Sequence, residues 1–311
     1  MMAIAKAQSV VEYMTTYGWM ILILAVALAA LYLLGVFNSS SLAQKALPGS
    51  CSVLRPDGAG TTYQISLQGA CLNLQPKYVA EFGGMDTYAS SFLPCKRAWE
   101  GTVSAWVYLT SYPRPGSTAT VIEACGENLT INSNGAVGFN VQVLVHPSCL
   151  CTPSNTAFGV YTGNVISLDR WYFLKGNYTM KNLQGGGIAI SICAYNDSSQ
   201  TCNSVLYQPI PGSGVSYVPS TFTFNAFIGV DSTMANSLNG YISNVQYYTA
   251  SLGSGESNEL YGEGIGGSPI SLTSLQNWWP LNGDASDYSG NNANTIPSNV
   301  IFITDYNYQP V

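Results

Sequence analysis

Between Tyr13 and Gln44 the chain carries no charged side chain, and from Trp19 to Phe37 it is almost wholly apolar. A helix needs about 20 apolar residues to span a bilayer, so this stretch predicts a membrane segment. Nothing else in the sequence constrains the fold as tightly. Glu12 stands at its start, and an ionised carboxylate beside hydrocarbon costs on the order of 2.5 kcal/mol or more unless it is paired. A cationic partner for Glu12 is therefore expected.

Cutting the chain would supply that partner. Lys6 gives a positive flank, and Ala5-Lys6-Ala7 ends in a small residue ahead of the apolar run. In a secretory signal peptide the cut follows the apolar region and removes it. A cut between Ala7 and Gln8 would instead keep the apolar segment and create an α-amino group on Gln8. Glu12 would then be the fifth residue of the mature chain, within reach of a neighbouring subunit's amino terminus.

The run Lys6-Ala7-Gln8-Ser9-Val10-Val11-Glu12-Tyr13 resembles the class III signal sequence of archaeal type IV pilins and archaellins. The resemblance implies that a prepilin peptidase removes residues 1–7, that Gln8 becomes the processed N-terminus, and that Glu12 registers subunits during assembly. Residues 8–47 would form a helix that lies in the membrane before assembly and in the filament core afterwards. The partners would be further copies of the chain in a helical filament, together with the pilus assembly machinery. The alternative is a non-polymerising single-pass anchor whose Glu12 sits in the interface, helped by the positive helix N-terminus. Pro48-Gly49 cannot continue a helix, and a helix over 8 to about 46 would be roughly 55–60 Å long. With Lys6 on the cytoplasmic side, everything beyond the segment is exported.

Composition agrees with an exported head. Charged residues are 8% of the chain, against a usual quarter, so the surface is polar but largely uncharged. Sequons at Asn38, Asn128, Asn177 and Asn196 are candidate glycosylation sites outside the cell. The net charge of −6, or −7 once Lys6 leaves with the leader, and the absence of a basic cluster exclude nucleic acid as a partner. All eight cysteines (Cys51, Cys71, Cys95, Cys125, Cys149, Cys151, Cys193 and Cys202) follow the apolar segment, which favours disulfides. Cys193 with Cys202, across a hairpin-like spacer, and Cys51 with Cys71 are the expected pairs. Cys149 and Cys151 are too close to bridge each other and need different partners. Zinc is the competing account, but no Cys-x2-Cys pair occurs and His146 is the one histidine.

From Cys51 onward short β-type runs recur between turn signals. Val103, Ala105, Val107 and Leu109 alternate with Ser104, Trp106 and Tyr108, which predicts a strand. Further strands are expected at 119–124, 137–145, 171–180, 188–195, 222–230 and 239–249. The order of Ser104-Ala105-Trp106-Val107, Trp171-Tyr172-Phe173, Phe227-Ile228-Gly229-Val230 and Leu238–Tyr248 with Ser257–Tyr261 resembles the concanavalin A-like, laminin G-like sandwich. That resemblance implies a closing strand at 238–248 and a short helix after it. Trp278–Asn292 resembles the opening segment of the same family, so residues 277–304 are expected to complete the one sandwich. The expected class is α+β: a long N-terminal hydrophobic α-helix, then an antiparallel β-sandwich of jelly-roll type over 48–311.

Catalytic groups do not converge in this sequence. His146 has no marked nucleophile beside it. Among Glu81, Glu100, Glu123, Glu127, Asp169 and Asp231, no spacing singles out an acid and a nucleophile for glycoside hydrolysis. A non-enzymatic protein without a cofactor is expected. Asp284 and Asp287, with Asn291 and Asn292, form the densest oxygen cluster; calcium is the cation they would take, against an Asx-turn loop satisfying its own backbone. With 21 Tyr and 6 Trp, aromatic contacts to glycans or to other subunits are both open. The expected function is thus a filament subunit displaying a lectin-like adhesive head at the cell surface.

Overall fold

The computed structural model describes residues 17–29, 52–56, 62–66, 76–92, 98–146, 154–180, 188–196, 200–207, 216–219, 225–291 and 293–306. The chain divides into two compact units, Met1–Lys45 and Ala46–Val311. In the first unit, residues 17–29 form helix α1, and every side chain in it is exposed. Leu, Met and Ala, all good helix formers, dominate this stretch.

The expected α+β chain led by a long apolar helix is corrected here. Among the described residues helix is confined to α1 and to α2, Ser254–Glu263, and none is long and apolar enough to cross a membrane. Hydropathy reports the preference of side chains for an apolar medium; it does not fix where a helix begins and ends. The other positions of 8–47 lie outside the described residues.

The second unit is a sandwich of two antiparallel sheets, consistent with a jelly roll. Its strands in chain order are β1 Ser52–Pro56, β2 Thr62–Ser66, β3 Val79–Gly83, β4 Tyr88–Phe92, β5 Glu100–Leu109, β6 Thr118–Ala124, β7 Glu127–Asn132, β8 Ala136–His146 and β9 Ser154–Asn164. They continue with β10 Trp171–Thr179, β11 Ile188–Tyr195, β12 Gln200–Tyr207, β13 Ser216–Pro219, β14 Asn225–Ile228, β15 Asn239–Tyr248, β16 Leu275–Trp279, β17 Ile296–Ser298 and β18 Ile301–Ile303. The first sheet has the order β12-β11-β10-β5-β15-β3-β18, with β16 also on β15. The second has the order β13-β8-β7-β6-β14-β4-β17, with β9 also on β8. β1 and β2 pair as a separate hairpin.

The core follows from period-two alternation. Val103, Ala105, Val107 and Leu109 of β5 and Ile188, Ile190 and Ile192 of β11 meet Ile122, Leu129, Ile131, Val137, Phe139 and Val141 of the second sheet in one fully buried cluster. Burying such aliphatic side chains stabilises by about 1.5–3 kcal/mol each. The opposite face of β5 is buried as well. Trp106 and Tyr108 join Trp171, Phe173, Tyr195, Leu260, Ile265 and Tyr306 in a second cluster outside the first sheet. α2 closes it: Tyr261 stacks on Trp106 at 5.6 Å and on Tyr195 at 5.2 Å between ring centroids. The second unit therefore has a third, aromatic layer outside the first sheet.

Candidate functional site

Residues 275–303 contribute strands to both sheets. β16 pairs with β15, β17 with β4 and β18 with β3. The connection between β16 and β17 is organised by Asp287, which is fully buried. Its Oδ1 accepts from Trp278 N at 3.0 Å and Ser289 N at 2.9 Å; its Oδ2 accepts from Asn277 Nδ2 at 3.1 Å and Ala293 N at 3.0 Å. Four donors thus converge on one carboxylate. Asp284 is exposed and serves its own turn, accepting from Ser286 N and Tyr288 Oη. Among the described residues no group of three or more His, Cys, Asp or Glu is gathered as for a metal ion. The indole of Trp278 enters a second buried network, donating to Asn244 Oδ1, which also accepts from Gln246 Nε2.

Lys175 lies on the outer face of β10, beneath α2 and only 1% exposed. Its Nζ donates to Leu252 O at 2.6 Å. Burial pushes its pKa from 10.5 down to about 8, and the negative charge of Glu256 offsets this in part. Between those two values the unfolded chain holds the proton that the folded chain has lost, so stability rises with pH there. Above pH 10 the effect reverses, because burial raises Tyr195, Tyr241 and Tyr248 and the unfolded tyrosines ionise first. We expect stability to climb by about 2 kcal/mol between pH 8 and 9.5. Lys175→Met should flatten that rise, as read from urea midpoints across the interval; an unchanged slope in the variant would assign it to another group.

Cys193 and Cys202 face each other across the β11–β12 pair and form a disulfide. Cys125 is disulfide-bonded too, and among the described residues no cysteine is free. Asn128 is half-buried on β7, and its Oδ1 is shut off from solvent without a hydrogen-bond partner. Asn177 is buried and donates its amide to Ser251 Oγ at 2.7 Å. Asn196 is half-buried at the end of β11. Ala7, Gln8, Glu12, Asn38, Cys51, Cys71, Cys95, Cys149 and Cys151 lie outside the described residues.

Three of the carboxylates weighed for glycoside hydrolysis, Glu123, Asp231 and Glu127, are engaged within the fold. Glu123 accepts from Ser232 N and Ser232 Oγ. Asp231 accepts from Thr233, Ala235 and Asn236. Burial alone would raise Asp231, but these hydrogen bonds outweigh it and hold its pKa below the usual carboxylate value. Glu127 is inside the core, 3.3 Å from Tyr247 Oη. The aromatic expectation is also narrowed: Trp106, Trp171, Trp278 and Trp279 are buried.

The outer face of the second sheet is open only in part: among the described residues Tyr161, Ala157 and Ile296 on it are exposed, whereas Thr120, Thr130, Glu123 and Phe227 are buried. One transverse row there runs Ile296, Ser90, Phe227, Glu123, Asn128, Asn140, Gly159, and the neighbouring row runs Thr120, Thr130, Gly138, Tyr161. Tyr161 is 51% exposed. β8 and β9 contain no Asp, Glu, Lys or Arg. Sequence reading passed over β9 because Ser154–Asn164 is polar and glycine-bearing, with too weak an alternation to mark a strand.

No protein-family model matches this chain, and no curated protein matches it. Solved structures similar to it include a putative carbohydrate binding protein from Bacteroides ovatus, 14% identical, with a TM-score of 0.46 over 83% of this chain and 70% of that one. A native heptameric SAP-like pentraxin from Limulus polyphemus is 12% identical, with a TM-score of 0.44 over 74% and 96% of the two chains. Domains LG4-5 of the mouse laminin alpha1 chain are 12% identical, with a TM-score of 0.33 over 62% and 44%.

Proposed function

We propose that this chain is a structural subunit of an extracellular, archaeal type IV pilus-like filament that polymerises through its N-terminal segment and displays a lectin-like adhesive head. One observation carries the reading: α1 is apolar all round, and Trp19, Met20, Ile21, Leu22, Ile23 and Leu24 are each more than half exposed. Such a surface is stable only against lipid or against other apolar helices. The sequence Ala7-Gln8 with Glu12 ahead of it supplies a processing point and a charge partner for the new amino terminus. Before assembly the uncharged segment holds the subunit at the membrane; afterwards the same segments cover one another. The head is suited to display outside the cell by its disulfide and by a surface with few charges.

Two measurements test the assembly reading. Mass spectrometry of protein from its native cells should give a mature chain beginning at Gln8; a chain beginning at Met1 would exclude pilin-type processing. Glu12→Leu should cut the number of surface filaments by at least about tenfold, since it removes the partner of a cation held in apolar surroundings, while the subunit still reaches the membrane. Filaments at wild-type numbers in that variant would leave Glu12 without a role in assembly.

A further inference from the structure

We infer that the strip formed by Tyr161, Asn140 and Gln142 on the outer face of the second sheet binds an uncharged oligosaccharide. The inference rests on the reading of the head as lectin-like and names its site and ligand class. Tyr161 sits opposite Gly138, and a β-carbon there would meet its ring at 2.3 Å, so the ring packs into the space that the glycine leaves. The ring is held on one side by this contact, and the residue remains 51% exposed. A ring already fixed in this way loses little freedom when a sugar stacks on it. One pair further along, Asn140 lies over Gly159, where a β-carbon would meet its Oδ1 at 1.9 Å. Gln142 follows, opposite the exposed Ala157.

Two glycines thus lower the floor under one ring and one amide. From Gly138 to Gln142 the strip runs about 13 Å, the length of a short oligosaccharide. Among the described residues no hydrogen bond uses the side-chain polar groups of Tyr161, Asn140 or Gln142, and none of these groups is cut off from solvent. They can donate and accept toward a polyol. Charge fixes the class. β8 and β9 hold no acidic residue, lysine or arginine, and Glu123, in the same row as Asn140, is already bound to Ser232. Uronates, sulfated sugars and phosphates would lose hydration here without gaining a counter-charge.

Calorimetric titration of the full-length protein decides it, using neutral hexasaccharides of glucose, mannose, galactose and N-acetylglucosamine beside oligouronates and sulfated oligosaccharides. At least one neutral hexasaccharide should bind. Tyr161→Ala should weaken that binding at least about tenfold and Tyr161→Phe less than about threefold, since the ring face carries the contact. Ala157→Arg should abolish it from an exposed position without disturbing the core. Neutral-sugar binding that survives both Tyr161→Ala and Ala157→Arg would place the site elsewhere and overturn this inference while leaving the lectin-like head intact. Binding confined to acidic sugars would overturn the ligand class alone. Absence of binding to every saccharide would sink the lectin-like reading and this inference together. Self-association that Ala157→Arg removes, with no sugar bound, would assign the strip to a second copy of the chain instead.

Discussion

Replacing Asp287 by alanine in the full chain will lower the unfolding free energy of the head by about 3–5 kcal/mol, the cost of breaking a buried charged hydrogen-bonding centre. Asp287 and Asn277 are fully buried, and Trp278, Ser289 and Ala293 are nearly so. Removing the carboxylate strands the N–H groups of Trp278, Ser289 and Ala293 and the amide of Asn277 where water cannot reach them. Asp287→Asn will recover no more than part of the loss, because its amide nitrogen would confront donors in place of an acceptor. The effect spreads through the fold, since the same stretch carries β16 to one sheet and β17 to the other. Asp284→Ala is the matched control: its carboxylate is exposed and serves only a local turn, so it should cost less than about 1 kcal/mol. Urea unfolding of the three variants checks this. An unfolding free energy for Asp287→Ala within about 1 kcal/mol of wild type would mean that the tail is held by strand pairing alone.

Gly240→Ala will be comparably damaging, for a reason of backbone and not of charge. Gly240 opens β15 at φ 151°, and a β-carbon there would lie 2.0 Å from Tyr108 O and 3.1 Å from Leu109 Cα. The obstacle is main chain of the adjoining strand, paired at Gly240 with Leu109, so no rotamer change relieves it. β15 would have to move off β5 at the centre of the first sheet, and the expected loss is above about 3 kcal/mol. Gly83→Ala is the control on the same ladder. Gly83 pairs with Asn239, and the nearest atom that an added β-carbon would meet there is Thr87 Oγ1 at 3.7 Å, so a change within about 0.5 kcal/mol is expected. Equal thermal midpoints for the two variants would remove close strand approach as the explanation.

The strands that could be read from sequence are those with one strongly apolar face. The expected run 188–195 coincides with β11, and 239–249 ends one residue past β15. At its C-terminal end the expected run 222–230 reaches beyond β14, Asn225–Ile228, because Gly229 turns the chain with φ 82°. β1, β2, β3, β4, β7, β9, β12 and β13 were not legible, and β16, β17 and β18 only as part of 277–304; most are short, polar or at sheet edges, where little apolar surface is buried and alternation fades. For the candidate site the limit was different. Tyr161, Asn140 and Gln142 are ordinary polar residues in the sequence, and what groups them is the β8–β9 register.

Sequence by itself determined the inward face of β5, the hairpin spacing of Cys193 and Cys202, and the low charge of the whole surface. Each depends on residues near one another in the chain, where period-two geometry and hairpin reach act directly. Tertiary structure alone decided that the other face of β5 is buried under α2 and that the carboxylates of Glu123 and Asp231 serve a loop. It also decided that Tyr161 and Ala157 of β9 are exposed on the outer face of the second sheet while Thr120, Thr130 and Glu123 on the same face are buried. A strand's alternation tells which side chains share a face; whether that face meets water or protein depends on segments far away in sequence, and their packing is not written in the local pattern.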